Sequence, residues 1–170
     1  FSTKRETKHN ESVLVTRSKN LTVTLPKKCL HVMLSALENC TIRLSGGVIS
    51  LIEAVRCNNV KIIVRKNPIS TIQIDLCRNT QLEFDLPEDV SRPKIVHAVN
   101  TEISVKETKD GKPKIIPIDM LDSSQYVTFW AKDDKNKWQM KTSVTASLKE
   151  GKYVQIAGIS GSNTDLVSVE

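Results

Sequence analysis

A chain of 170 residues has room for one domain, with an extended tail at most, and is long enough to bury a real core. Apolar residues make up 39 % and aromatics only 4 %, so Val, Ile, Leu, Cys and Ala must fill the interior, which is unusual for a β-sandwich. The 25 Lys and Arg against 19 Asp and Glu leave a charge of +6, which favours an acidic partner without choosing between a protein, a nucleic acid and an anionic membrane. No apolar run approaches the length of a membrane-spanning helix.

The chain opens on a polar stretch, FSTKRETKHNES, which reads as a flexible segment over residues 1–12. It lacks an initiator Met, as expected of a fragment or a processed product. From Val13 a repeat begins. Asn20, Asn39, Asn59, Asn79 and Asn100 follow one another at intervals of 19, 20, 20 and 21 residues. Three positions past each anchor stand Val23, Ile42, Ile62, Leu82 and Ile103, and five past stand Leu25, Leu44, Val64, Phe84 and Val105. Seven before come Val13, Val32, Ile52 and Ile72; five before come Val15, Leu34, Ala54, Ile74 and Ile95. Ser18, Leu37, Cys57, Cys77 and Ala98, two before, are small or apolar.

Each window therefore holds two short alternating stretches with a polar corner between them. Alternation at period two specifies strands, not helix. One such unit buries almost nothing alone, so it needs neighbours stacked in register, about 4.8 Å apart up a parallel ladder. The pattern predicts an all-β chain, a parallel β-helix over residues 13–116 with about five to six coils. Asn suits its corners because its short amide tolerates left-handed geometry and can bond the neighbouring backbone. Asn10, Asn20 and Asn39 each head an N-x-S/T triplet, which a Thr-rich strand vocabulary produces by chance.

Cys29, Cys40, Cys57 and Cys77 contain no C-x-x-C pair, which argues against a zinc knuckle. Cys57 and Cys77, one coil apart at the same position, are expected to lie together facing inward as buried thiols. Pro68 sits in a corner, whereas Pro87 and Pro93 flank an acidic turn where the period weakens, and Pro93 takes a place that is apolar in earlier windows. After Val105 the loop KETKDGKPK leads out of the repeat into a region spanning 117–160. IIPIDML, QYVTFWA, KWQMKTSV and GKYVQIAGI read as strands, with Tyr126 to Trp130 and Trp138 to Thr142 forming a hairpin that carries both tryptophans. Such a hairpin could cap the open end, where an unpaired coil exposes a strand edge. Residues 161–170 read as a tail or one outer strand.

Catalytic constellations are missing: no phosphate-binding glycine loop, no dinucleotide fingerprint and no H-E-x-x-H occurs. The Gly46-Gly47 pair reads as a corner. His9, His31 and His97 are scattered without a partner nucleophile, and Asp75, Glu83, Asp85, Glu88 and Asp89 read as a solvated face. We expect no enzyme activity, no metal and no cofactor. Arg43, Lys61 and Arg65 alternate out of the strands, and Arg56, Lys66 and Arg78 lie near corners, so neighbouring coils can build a basic strip. Few aromatics interleave with it to stack bases, so an acidic protein face is the expected partner rather than nucleic acid.

The stretch from Cys40 to Ile116 resembles the carboxy-terminal (CARP) domain of the adenylyl cyclase-associated proteins. RCNNVKIIV (Arg56 to Val64), NPISTIQIDLCRNTQLEF (Asn67 to Phe84) and VHAVNTEISV (Val96 to Val105) are similar to coils of that family. The resemblance implies a right-handed parallel β-helix that binds monomeric actin, prefers its ADP-bound form, assists recharging with ATP after cofilin-driven disassembly, and dimerises by exchanging a terminal hairpin. It also implies a cytoplasmic, cytoskeleton-associated protein. Beyond Pro117 the chain departs from the family's short hairpin and reads as a divergent β-hairpin region. The wider group includes tubulin-folding cofactor C, whose GTPase-activating members carry a Gln-x-Arg motif. Here Gln73 is followed by Ile74 and Asp75. A cytoskeletal scaffold or adaptor, or a cofactor-C-like regulator of tubulin folding or small GTPases, remains the alternative. The expected contact residues, Arg43, Lys61, Arg65, Arg56 and Arg78, are chosen from outward and corner positions and not carried over from the family.

Overall fold

The computed structural model describes residues 2–4, 11–67, 69–118, 124–149 and 152–155, and every regular element among them is a strand. Among these residues there is no helix long and apolar enough to cross a membrane. His9, Pro68 and the tail expected over 161–170 lie outside the described residues.

Strands from alternate halves of each repeat build two sheets. The first takes β1 (Ser2–Lys4), β3 (Thr22–Leu25), β5 (Glu38–Leu44), β7 (Asn58–Arg65), β9 (Arg78–Asp85) and β11 (Ile103–Lys106), all parallel, and ends with the antiparallel β12 (Lys114–Ile115). The second takes β2 (Val13–Thr16), β4 (Val32–Ser35), β6 (Leu51–Val55), β8 (Thr71–Asp75) and β10 (Lys94–Ala98), again parallel. Each coil runs along one sheet, turns a corner and returns along the other. The molecule is a parallel β-solenoid of about five turns, as the periodicity predicts. Between Leu25 and Val32, and again between Leu44 and Leu51, the chain crosses a third side held by a Cys29 to Val48 bridge. A Cβ on Gly46 would overlap the Lys27 backbone, and Gly47 has φ 80°, so this corner needs both glycines.

Inward positions form continuous columns. Val13, Val32, Ile52, Ile72 and Ile95 pair in register, as do Val23, Ile42, Ile62 and Leu82, and each is buried. The corner asparagines stack as expected: Asn59 Nδ2 donates to Asn39 Oδ1 at 2.7 Å and Asn79 Nδ2 to Asn59 Oδ1 at 3.1 Å. Asn20, Asn39, Asn59 and Asn79 all have φ between 52° and 55°.

Asn100 does not belong to that ladder. The fifth coil is longer: Ile95 pairs with Ile72 and Val105 with Leu82, each 23 residues on, so Ile95 and Val105 stand two positions from the expected register. Ile103 faces Thr80, and His97 takes the inward place over Ile74. Asn100 instead continues the cysteine column. Cys57 N donates to Cys77 Sγ at 3.3 Å, and Cys77 N donates to Asn100 Oδ1 at 2.8 Å, the same bond one coil later. The extra length comes from the loop containing Pro87 and Pro93, whose Arg92 guanidinium donates to the Pro87, Val90 and Glu107 carbonyls at 2.9, 2.6 and 3.0 Å.

Past the repeat, β13 (Gln125–Lys132) pairs antiparallel with β10, and β14 (Trp138–Lys149) pairs antiparallel with β13, making the hairpin read from the two tryptophans. Asp133 closes its turn by accepting the Lys135 and Lys137 N–H groups at 2.9 Å each. Trp130 meets Phe84, the last large inward ring of the first sheet, edge to face at 5.9 Å. β15 (Lys152–Gln155) pairs with the far end of β14. Two further expectations change. Ser2–Lys4, read as flexible, extends the first sheet as β1, and of the expected IIPIDML strand Ile115 is paired, with Lys114, in β12, while 116–118 are irregular and 119–121 lie outside the described residues.

Candidate protein-binding surface

Alternation decides what each sheet shows to solvent. On the first sheet the columns run Thr41, Lys61, Gln81 and Arg43, Ile63, Glu83, with Arg65 beside Asp85. Arg43 is exposed. Lys61 and Arg65 are already engaged: Lys61 Nζ lies 2.8 Å from Glu83 Oε2, Lys106 Nζ lies 3.8 Å from the same oxygen, and Arg65 Nε lies 4.0 Å from Asp85 Oδ2. Glu83, expected on a solvated face, is only 5 % exposed, because these long cations and Ile63 close over it. Burial pushes its carboxyl up, but the Lys61 hydrogen bond and the charges of Lys61, Lys106 and Arg65 outweigh that and hold it below the usual range.

Arg56 and Arg78 stand elsewhere, on the ridge where the second sheet turns into the first. Arg56 follows β6 with φ 53° and Arg78 opens β9 opposite Asn58. Both are exposed, and among the described residues neither forms an ion pair. The five expected contact residues thus split into two groups, with Arg43, Lys61 and Arg65 on one sheet face and Arg56 and Arg78 along the ridge. The ridge also carries exposed Leu76 and Val99, which sequence reading missed. The signal was there: Arg17, Ala36, Arg56 and Leu76 lie three before each anchor, and an apolar residue at a solvent corner is out of place.

The remaining polar groups serve the fold. His97 Nε2 lies 3.0 Å from Thr128 Oγ1, which lies 2.9 Å from Thr142 Oγ1, and burial lowers the imidazole pKa to about 4. His31 Nε2 is 3.5 Å from Glu53 Oε2, far along the solenoid from His97. Cys29, Cys40, Cys57 and Cys77 are free and buried. The neighbouring Cys57 thiol, then burial, pushes the Cys77 thiol well up, against the lowering effect of the Cys57 N–H on its sulfur. Glu107 accepts Lys114 Nζ at 2.9 Å and Trp130 Nε1 at 3.0 Å, tying β12 and the hairpin together. Among the described residues no three His, Cys, Asp or Glu side chains are grouped to hold a metal ion.

A five-turn parallel solenoid closed by an antiparallel hairpin, with charged outer ladders, defines a β-helical domain built to present a surface. The chain belongs to the family described as "Adenylate cyclase associated (CAP) C terminal", whose family model matches residues 3–147. That match includes β13 and nearly all of β14, so the hairpin region read as departing from the family beyond Pro117 lies inside the family domain. Among solved structures the chain is similar to the cyclase-associated protein from Cryptosporidium parvum, with a TM-score of 0.53 and 16 % identity, covering 83 % of this chain and 94 % of that one. This likeness is one of fold. A comparison with curated proteins finds no match.

Proposed function

We propose that this domain binds actin monomers, prefers the ADP-bound form and assists its recharging with ATP, acting by binding and without chemistry of its own. The observation that carries the reading is the family match over residues 3–147, in a chain whose net charge is +6. Arg43, Lys61, Arg65, Arg56 and Arg78 supply contacts to an acidic actin surface, with Arg43, Arg56 and Arg78 offering charge that forms no ion pair among the described residues. The work is cytoplasmic and cytoskeletal.

We further place a homodimer contact at the terminal hairpin. Among the described residues the outer edge of β14 from Trp138 to Thr145 pairs with no strand, and such an edge invites pairing with a second copy.

Titrating the chain into labelled ADP-actin and ATP-actin monomers, and following nucleotide release from actin, tests the reading. Binding should be tighter to ADP-actin, should accelerate release and should weaken with salt as exposed charges are screened. No association with ADP-actin at tens of micromolar in low salt refutes it and leaves the scaffold alternative.

A further inference from the structure

Five successive coils turn the same corner through a residue with left-handed backbone: Arg17, Ala36, Arg56, Leu76 and Val99, with φ from 50° to 56°. The backbone reason is common to them. Ala36, Arg56 and Leu76 each donate their N–H to the next coil, to the Val55, Asp75 and Ala98 carbonyls at 3.1 Å in each case, and Arg17 donates to Ser35 O at 3.0 Å. This bond needs a left-handed corner and asks nothing of the side chain. Gly or Asn adopts that conformation most readily, whereas a β-branched or bulky residue is strained there. Three positions later the same turn shows the inexpensive solution, since Asn20, Asn39, Asn59 and Asn79 fill its second left-handed position.

None of the five is Gly or Asn, and at the fourth and fifth coils the corner is filled by the bulky apolar Leu76 and Val99, whose side chains gain little from the fold: they are 45 % and 49 % exposed. Strained backbone under an exposed apolar side chain points to a role outside the folded chain. They sit beside Arg56 and Arg78, which are exposed and unpaired among the described residues, in contrast to the ion-paired Lys61 and Arg65 of the neighbouring sheet face. Apolar residues flanked by unpaired charge suit a protein contact, whose apolar part is bordered by polar groups.

We infer that the ridge formed by Arg56, Leu76, Arg78 and Val99 is the principal contact surface, and that it receives an acidic protein patch with an apolar centre. This rests on the actin reading above, which makes the actin monomer the occupant. The charge follows from the two guanidinium groups, which form no ion pair among the described residues, and the apolar centre from Leu76 and Val99.

The test uses the whole chain and labelled ADP-actin monomers, with thermal melting of every variant. Arg56→Glu with Arg78→Glu should weaken binding at least tenfold. Leu76→Asn with Val99→Asn should weaken it at least fivefold while the melting midpoint holds or rises, because Asn relieves the strained corners. Lys135→Glu with Lys137→Glu, an equal charge change in the hairpin turn, should leave binding within twofold. Wild-type binding that survives both ridge pairs within twofold overturns the inference and leaves the actin reading standing. Loss of binding by the Asn pair only together with a lowered midpoint also overturns it, since the side chains would then be structural. A wild-type chain that does not bind ADP-actin fails the actin reading first, and the inference falls with it.

Discussion

Mild acid should loosen this fold before the carboxylates titrate, because of His97. Its ring is 1 % exposed, stacks on Tyr126 at 5.7 Å with 15° between planes, and faces Thr128 and Ile74. Burial lowers its pKa from 6.5 to about 4. In the unfolded chain the imidazole takes up its proton near pH 6.5, while the folded chain refuses it until near pH 4, so between these values the unfolded state binds more protons. Stability is therefore complete above pH 6.5 and is lost as pH falls toward 4. At 1.36 kcal/mol per pKa unit the whole window amounts to about 3 kcal/mol, of which about 2 kcal/mol falls between pH 7 and pH 5. Urea unfolding at pH 7, 6 and 5 measures it directly. His97→Leu is the matched control: it continues the apolar column of Leu34, Ala54 and Ile74 and leaves Thr128 bonded to Thr142. That variant should unfold within about 1 kcal/mol of wild type at pH 7 and show no slope down to pH 5. A wild-type midpoint that does not move over this range, or a variant that keeps the slope, refutes the argument.

Three further outcomes test the packing. Ile62→Asp places a carboxylate in the middle of a fully buried column, and circular dichroism should show loss of the folded β spectrum; a cooperative melt like that of wild type would mean Ile62 does not face inward. Cys57→Ala should cost about 1 kcal/mol or less, and native thiols should titrate slowly, whereas a Cys57 to Cys77 cross-link in fresh protein would contradict paired buried thiols. Asn59→Ala removes two exposed ladder bonds and should cost about 1 kcal/mol, whereas Asn100→Ala strands the buried Cys77 N–H and Ile74 carbonyl and should cost about 3 kcal/mol; urea midpoints in the reverse order would show that the two asparagines are misassigned.

What could be read from the residues was whatever the ladder repeats. Ile42, Ile62 and Leu82 recur because a stacked coil offers each the same slot, so period and inward face were legible together. The slip came at the fifth coil, where Asn100 lies close to the right distance from Asn79 to pass for another corner. A loop of different length resets the count without altering alternation, and only the pairing of Ile95 with Ile72 reveals it. The cationic positions were legible as outward-facing, but their pairing was not. Lys61 meets Glu83 from the next coil, 22 residues away, and a pattern read along one strand cannot see across the ladder. Leu76 was legible as an apolar residue at a solvent corner three before an anchor, but Val99 was hidden by the same reset of the count, and no side-chain period announces the left-handed backbone that the two share.

The fifth coil also explains why the stack stops. Up to the fourth coil the inward columns are almost wholly apolar, and another copy of the unit could be laid on top at little penalty. In the fifth, His97 and Asn100 enter those columns, both buried. Asn100 satisfies the coil below it through Cys77 N and Ile74 O, while His97 needs a partner above, and the partner is Thr128 on an antiparallel strand. A sixth coil bearing Ile or Leu over His97 would bury its ring nitrogen without that bond, at about 1–3 kcal/mol. Trp130 makes the same choice on the other side, covering Phe84 while its indole N–H reaches Glu107, a carboxylate that also holds Lys114 of β12. Both sheets thus turn antiparallel at the same level, β10 to β13 and β11 to β12, each fixed by a polar group that a further parallel coil would leave unsatisfied. Termination is therefore specified by buried polar residues, whereas the length of the solenoid before them is set by apolar repetition.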